Sequence, residues 1–158
     1  GLSFECRWNG HLGLFFSVAQ HSVIVSQHMP KEGGCFLALL GLLHDGSEAY
    51  MKDIGLRLKK SLPDYLHVEN HVQNVIYRKY LGRLPTEEEE VARHVVDKRS
   101  AVAEYLDIKP GARIEDLLEE DTVLLGRLDT EIRPLRAEVA RSWFLFRFHE
   151  LMQECSGS

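Results

Sequence analysis

His21, the adjacent pair His44–Asp45, and Asp97 are the residues of this chain best suited to chemistry. Two imidazoles and two carboxylates make a mixed nitrogen–oxygen ligand set for one divalent cation, and leave coordination positions open for water or substrate. An open-site metal beside further carboxylates is the usual apparatus for hydrolysing a phosphate ester. Asp45 directly follows His44, so at a helix end both can turn toward one ion. His21 and Asp97 must then arrive from two other helices, as in metal sites built inside helical bundles. Metal ligands bind deprotonated, so such a site weakens in mild acid. Without a metal, Asp97 reads equally well as one half of a buried helix salt bridge.

The chain supplies the helices this site needs. Ser17 is an N-cap for a helix to about His28, on which Val18, His21 and Val25 share one apolar face. Gly33–Gly34 opens a strongly apolar helix that delivers His44 and Asp45 near its end, where charge is costly unless paired or bound to metal. An irregular stretch, DIGLRLKK, follows. Pro63 then begins a helix that Gly82 stops after Leu81. Thr86 and Glu89 form a capping box for a helix through about Leu106. Asp97 lies in its middle, on one face with His94, Ala101 and Glu104, while Val91, Val95, Val102 and Leu106 mark the adjacent core face. Two further helices are expected over Ile114–Leu128 and Pro134–Gln153. Strand-like alternation and internal repeats are absent from the pattern. The reading is a single all-α domain over 1–155, with 156–158 as a tail.

The 158 residues suit one ordinary domain, and 44% hydrophobic with 27% charged residues is the balance of a soluble globular protein. The longest apolar run, Cys35 to Leu43, is too short to cross a membrane, and no secretory leader is expected. A formal net charge of −5 without a basic stripe argues against a grip on duplex nucleic acid, yet permits a nucleotide. Cys6, Cys35 and Cys155 are odd in number, far apart and without CxxC spacing, so reduced thiols and a cytoplasmic location are expected. His67 and His71, one helical turn apart, lack the HExxH signature and are read as an exposed face. Trp143, Phe144, Phe146 and Phe148 form an aromatic run wider than one core face, which points to a contact between subunits.

The ordered set His21, His44–Asp45, Asp97, with the stretches CRWNGHLGLFFSVAQHSV and LLHDGSEAYMKDIGLRLK, resembles the HD-domain phosphohydrolase superfamily. Within it the chain looks like the small members that act on nucleotides, the bacterial 5′-deoxynucleotidases and the phage-type dATP triphosphohydrolases. The resemblance runs from about Cys6 to Glu104. It implies an HD-type helical bundle with one divalent ion (Co²⁺, Mn²⁺, Zn²⁺, Mg²⁺ or Fe²⁺) on His21, His44, Asp45 and Asp97. It implies that Glu48 moves a proton and that Asp53 orients the attacking water. Arg7 and Lys59 would contact phosphate, Trp8 the sugar or base, and His11 would approach substrate. The plainer alternatives are an exposed helix-start glutamate for Glu48, a turn residue for Asp53, a solvated basic turn for Lys59, and an aromatic anchor for Trp8.

The function so implied is hydrolysis of the 5′ phosphoester of a deoxynucleotide. A deoxynucleoside triphosphate, dATP-like, is the first choice, giving nucleoside and triphosphate. A 5′-deoxynucleotidase acting on monophosphates is the alternative, and a catalytically silent nucleotide-binding module the second. The resemblance further implies a homo-oligomer, dimer or hexamer, in a bacterial or phage-infected host cell.

Overall fold

A computed structural model describes residues 1–117 and 125–157. Among them, α1 spans Val18–His28, α2 Gly34–Leu43, α3 Glu48–Met51, α4 Leu56–Lys60, α5 Pro63–Leu81, α6 Glu87–Ile108 and α7 Ala137–Ser156. No strand occurs among the described residues beyond an isolated bridge between Cys6 and Ser17. The all-α reading holds.

Helices α1 and α2 form the centre. The former packs on α2, α6 and α7, and the latter also on α5, α6 and α7. Such crowding explains why α2 is apolar on nearly every side, as an enclosed helix must be. The two cross where Gly41 leaves room: a Cβ there would lie 2.7 Å from Met29 Cγ and 3.1 Å from Ser26 Cα.

Local signals set most helix ends. Ser17 accepts the Gln20 amide at 3.2 Å and starts α1. Pro63 occupies the first turn of α5, and Gly82 ends that helix at φ 77°. At α6 the Thr86 hydroxyl accepts the Glu89 amide, while the Glu89 carboxylate accepts the Thr86 amide at 2.7 Å and also holds Arg83. Four glutamates, 87–90, complement the helix dipole there.

Several expectations need correction. Val91 is 57% exposed, because the first turns of α6 extend past the core that Val102 enters fully. The segment read as irregular contains the short helix α4. Of the helix expected over Ile114–Leu128, residues 118–124 lie outside those described; Ile114–Asp116 is one 3-10 turn, and 126–128 are not helical. Helix α7 starts at Ala137 rather than Pro134, because Gln20 donates to the Arg133 carbonyl and accepts the Leu135 amide, both at 2.8 Å. Ser156, read as tail, completes α7, whereas Ser158 lies outside the described residues. Cys35 and Cys155, expected reduced, are disulfide-bonded with Cα atoms 5.6 Å apart. They are 120 positions apart in sequence, and only the packing of α2 against α7 brings them together. With that bond present, cysteine usage no longer argues for a reducing compartment. No described helix is long and apolar enough to cross a membrane. Phe146 is 69% exposed, while Trp143, Phe144 and Phe148 pack against the core, so the aromatic run does exceed one buried face.

Gly41→Ala puts a methyl into the α1–α2 crossing and should cost about 1–3 kcal/mol. Urea denaturation of the two proteins checks it; equal midpoints would place the crossing elsewhere.

Candidate metal centre

His21 sits fully buried one turn into α1. His44 caps α2, and its Nδ1 lies 2.8 Å from the Gly41 carbonyl, one of the acceptors a helix end leaves open. Gln73 of α5 steadies the turn that follows. It donates to the Leu43 carbonyl at 2.7 Å and accepts the Ser47 amide at 3.0 Å, so Asp45 is held beside His44.

These placements turn the two Nε2 atoms toward one another, 3.2 Å apart. The Asp45 Oδ2 atom lies 3.3 Å from His44 Nε2 and 3.7 Å from His21 Nε2. Asp97, from the middle of α6, brings Oδ1 within 3.2 Å of His21 Nε2 and 3.8 Å of His44 Nε2. Bonds of about 2.0–2.1 Å to one ion place neighbouring ligand atoms roughly 3.0–3.4 Å apart, so the His21–His44, His44–Asp45 and His21–Asp97 spacings need little adjustment.

The tautomers carry the fit further. His44 gives its Nδ1–H to Gly41, and His21 gives its Nδ1–H to Glu104 Oε1. With both Nδ1 atoms so engaged, it is the Nε2 atoms that face one another and the carboxylate oxygens, and each offers a lone pair to a cation once His21 gives up its Nε2 proton. His21, His44 and Asp45 form a group that can hold a metal ion.

Glu104 is the functional residue that site spacing alone missed. Its carboxylate is fully buried and takes four donors: His21 Nδ1, Ser100 Oγ at 2.9 Å, Arg7 Nε at 3.1 Å and Trp8 Nε1 at 2.9 Å. Burial works against its charge, yet Arg7 and His21 hold it down to about 2. The available signal was its i+7 position from Asp97 on one face of α6.

Arg7 also donates to Asp45 Oδ2 at 3.1 Å, and Arg93 to Asp97 Oδ2 at 3.3 Å while shared with Glu90. Arg7 balances one of the carboxylates Asp45, Asp97 and Glu104; two negative charges remain, the complement of a divalent ion. Burial and Arg7 oppose a charge on His21, but Glu104 and Asp97 outweigh them and push its pKa up to about 9. Burial likewise disfavours the charged forms of Asp45 and Asp97, but the facing histidines hold both below the usual carboxylate range.

No family model matches the chain. A stretch of 79 residues is 48% identical to "Uncharacterized protein YfdR" of Escherichia coli strain K12. It covers 50% of this chain and 42% of that protein, so the match spans under half of the relative's length.

The remaining expected residues fall in different places. Glu48, the first residue of α3, is 4% exposed, not a solvated helix start; its Oε1 accepts Lys59 Nζ at 3.2 Å and its Oε2 is buried without a partner. Burial, Asp45 and Asp53 push its pKa up to about 9 against the pull of Lys59 and Arg7. Asp53 is half-buried; burial raises its pKa, Arg7 and Lys59 oppose, and Asp45 adds to the rise. Lys59 is not a solvated basic turn, for it bridges Glu48 and Glu69. Arg7 and Trp8 are brought in through Glu104, and the indole also lies 5.7 Å from the Tyr105 ring. Trp8 and Asn9 take left-handed backbone angles, φ 59° and 49°, which turn the chain so that both donors reach one oxygen. For Trp8 that costs roughly 1–2 kcal/mol. His11 is exposed beyond this turn, and His67 and His71 are exposed on α5.

All four groups facing Glu104 are donors, so Glu104→Gln must set an NH₂ against one pair of them. The variant should bind Mn²⁺ about 10–100-fold more weakly while keeping its helical circular-dichroism spectrum. Because a metal displaces the His21 proton, apparent affinity should rise about tenfold per pH unit from 6 to 8 and level near 9. Calorimetric Mn²⁺ titrations across that range check both; a flat pH profile would remove His21 from the ligand set.

Proposed function

We propose that this chain is a divalent-metal-dependent phosphohydrolase that cleaves the 5′ phosphoester of a deoxynucleotide. One observation carries the reading: a buried, unpartnered carboxyl oxygen, Glu48 Oε2, belongs to the residue three positions after Asp45, itself part of a group, His21, His44 and Asp45, that could hold a metal ion. A structural metal site has no use for such a carboxyl, whereas a hydrolase needs a proton donor outside the ligand set. The resemblance to HD-domain phosphohydrolases supports the same assignment.

In this reading Asp97 completes the set with His21, His44 and Asp45. A divalent ion held there supplies Lewis acidity at a phosphoryl oxygen and lowers the pKa of water. Glu48 is protonated at neutral pH and gives its proton to the leaving 5′ oxygen as the P–O bond breaks. Lys59 fixes the other Glu48 oxygen and leaves Oε2 to carry that proton. Asp53 orients the attacking water and accepts its proton. Arg7 holds the inner face of Asp45 and turns its remaining N–H groups toward phosphate.

A deoxynucleoside triphosphate of dATP type is the proposed substrate, with triphosphate as product. A second reading, a 5′-deoxynucleotidase for monophosphates, draws support from Lys59, whose charge is taken up by Glu69 at 2.8 Å, with a further hydrogen bond to Glu48 Oε1, rather than offered to a polyphosphate. A subunit assembly through the exposed side of α7 around Phe146 belongs to the same proposal.

The test is product analysis of Mn²⁺-loaded protein with each dNTP and dNMP, using Asp45→Ala as the blank. Nucleoside plus intact triphosphate is the expected result. Phosphate from monophosphates alone selects the second reading, and no cleavage with any metal leaves a silent binding module. Glu48→Gln should lower kcat by about 10²–10⁴ and abolish the alkaline limb of the wild-type profile. Activity depends on the protonated form, so that limb falls as pH rises through about 9, or lower with the ion bound.

A further inference from the structure

The turn that delivers Asp53 is held in a backbone conformation that its own residues disfavour. Lys52 has φ 72° and ψ 151°, a region that glycine occupies freely and a side chain does not. Its peptide bond to Asp53 is pinned at both ends. The Lys52 carbonyl accepts from the Tyr65 hydroxyl at 2.9 Å, and the same hydroxyl lies 2.7 Å from the Met51 carbonyl. The Asp53 amide donates to Glu5 Oε1 at 3.3 Å, while Glu5 Oε2 takes the Lys52 ammonium at 2.8 Å.

Glu5 is itself fixed. Its carbonyl accepts the amide of Val18, the first residue of α1, at 3.0 Å, and two residues on Arg7 N donates to the Phe16 carbonyl at 2.8 Å. The segment that anchors Glu5 is therefore tied to the helix that carries His21. Tyr65 works from the opposite side, on α5.

We infer that Glu5 and Tyr65 are positioning residues that clamp the Lys52–Asp53 peptide and aim the Asp53 carboxylate at the metal-site cluster. Neither touches substrate; both act through Asp53. The inference deepens the hydrolase reading and rests on it for the role of Asp53, but the clamp has a readout that needs no turnover. Burial raises the pKa of Asp53, Arg7 and Lys59 oppose and Asp45 adds to the rise, so its titration reports on the surroundings in which the turn holds it.

The experiment is a ¹³C NMR titration of the Asp53 carboxyl in wild type, Glu5→Ala, Tyr65→Phe and Glu5→Ala/Lys52→Gly. Wild type should titrate above the ordinary carboxylate range. Glu5→Ala should bring Asp53 back toward it, and Tyr65→Phe, which removes one hydroxyl and keeps the ring, should shift it the same way. Adding Lys52→Gly should restore the raised value, because glycine holds that backbone without strain. Identical Asp53 titration in wild type and both single variants overturns the clamp, as does failure of glycine to rescue. With turnover as a second readout, Glu5→Ala should lower kcat about tenfold with KM nearly unchanged. A shifted titration with unchanged kcat overturns the positioning of Asp53 for catalysis. If wild type cleaves no nucleotide, the hydrolase reading fails, while the titration still decides the clamp.

Discussion

The buried carboxylate of Glu104 is the constraint on which the centre depends. A charge with no exposure to water is tolerable only when its lone pairs are filled, and Glu104 fills them with donors from three separate parts of the chain. Each donor is thereby committed. His21 presents Nε2 because its Nδ1 proton is taken; Arg7 and Trp8 are drawn inward although their loop must adopt left-handed angles. The strain at Trp8 is offset by what Glu104 would lose without those donors.

The same economy organises the rim. A segment of four residues, Glu5 to Trp8, lies along the start of α1 and reaches three targets: the Lys52–Asp53 turn, Asp45 and Glu104. Opposite it, α5 contributes Gln73 to the turn after α2, and Glu69 to Lys59. The short helix α3 buries only Glu48, so its geometry leans on these neighbours. Two charged groups, Lys59 and Arg7, are already engaged with carboxylates, so any anion approaching them has to compete with Glu69 and Asp45.

Much of this was legible in the sequence where the governing physics is local. The capping box at Thr86, the Ser17 cap and the Pro63 and Gly82 punctuation depend on neighbours within four positions, and they place α1, α5 and α6. His21, His44, Asp45 and Asp97 were identifiable by type and order, and their atoms do converge. What escaped depends on contacts far apart in the chain. The start of α7 is set by Gln20, more than a hundred residues earlier; the bond between Cys35 and Cys155 by helix packing; and the hub at Glu104 by donors from Arg7, Trp8 and His21. Glu104 shares a face of α6 with Asp97, but that spacing does not reveal the distant donors that make its burial possible.

The link between Cys35 and Cys155 also changes the topology of the molecule. It closes a covalent ring that contains His44, Asp45 and Asp97 but leaves His21 on the strand entering it. A single backbone cut within the ring, including anywhere in the long connection between α6 and α7, opens the ring without dividing the molecule. Both pieces stay on one covalent body, with α7 still tethered beside α2. The oxidised chain therefore tolerates nicking as a linear chain of the same fold would not.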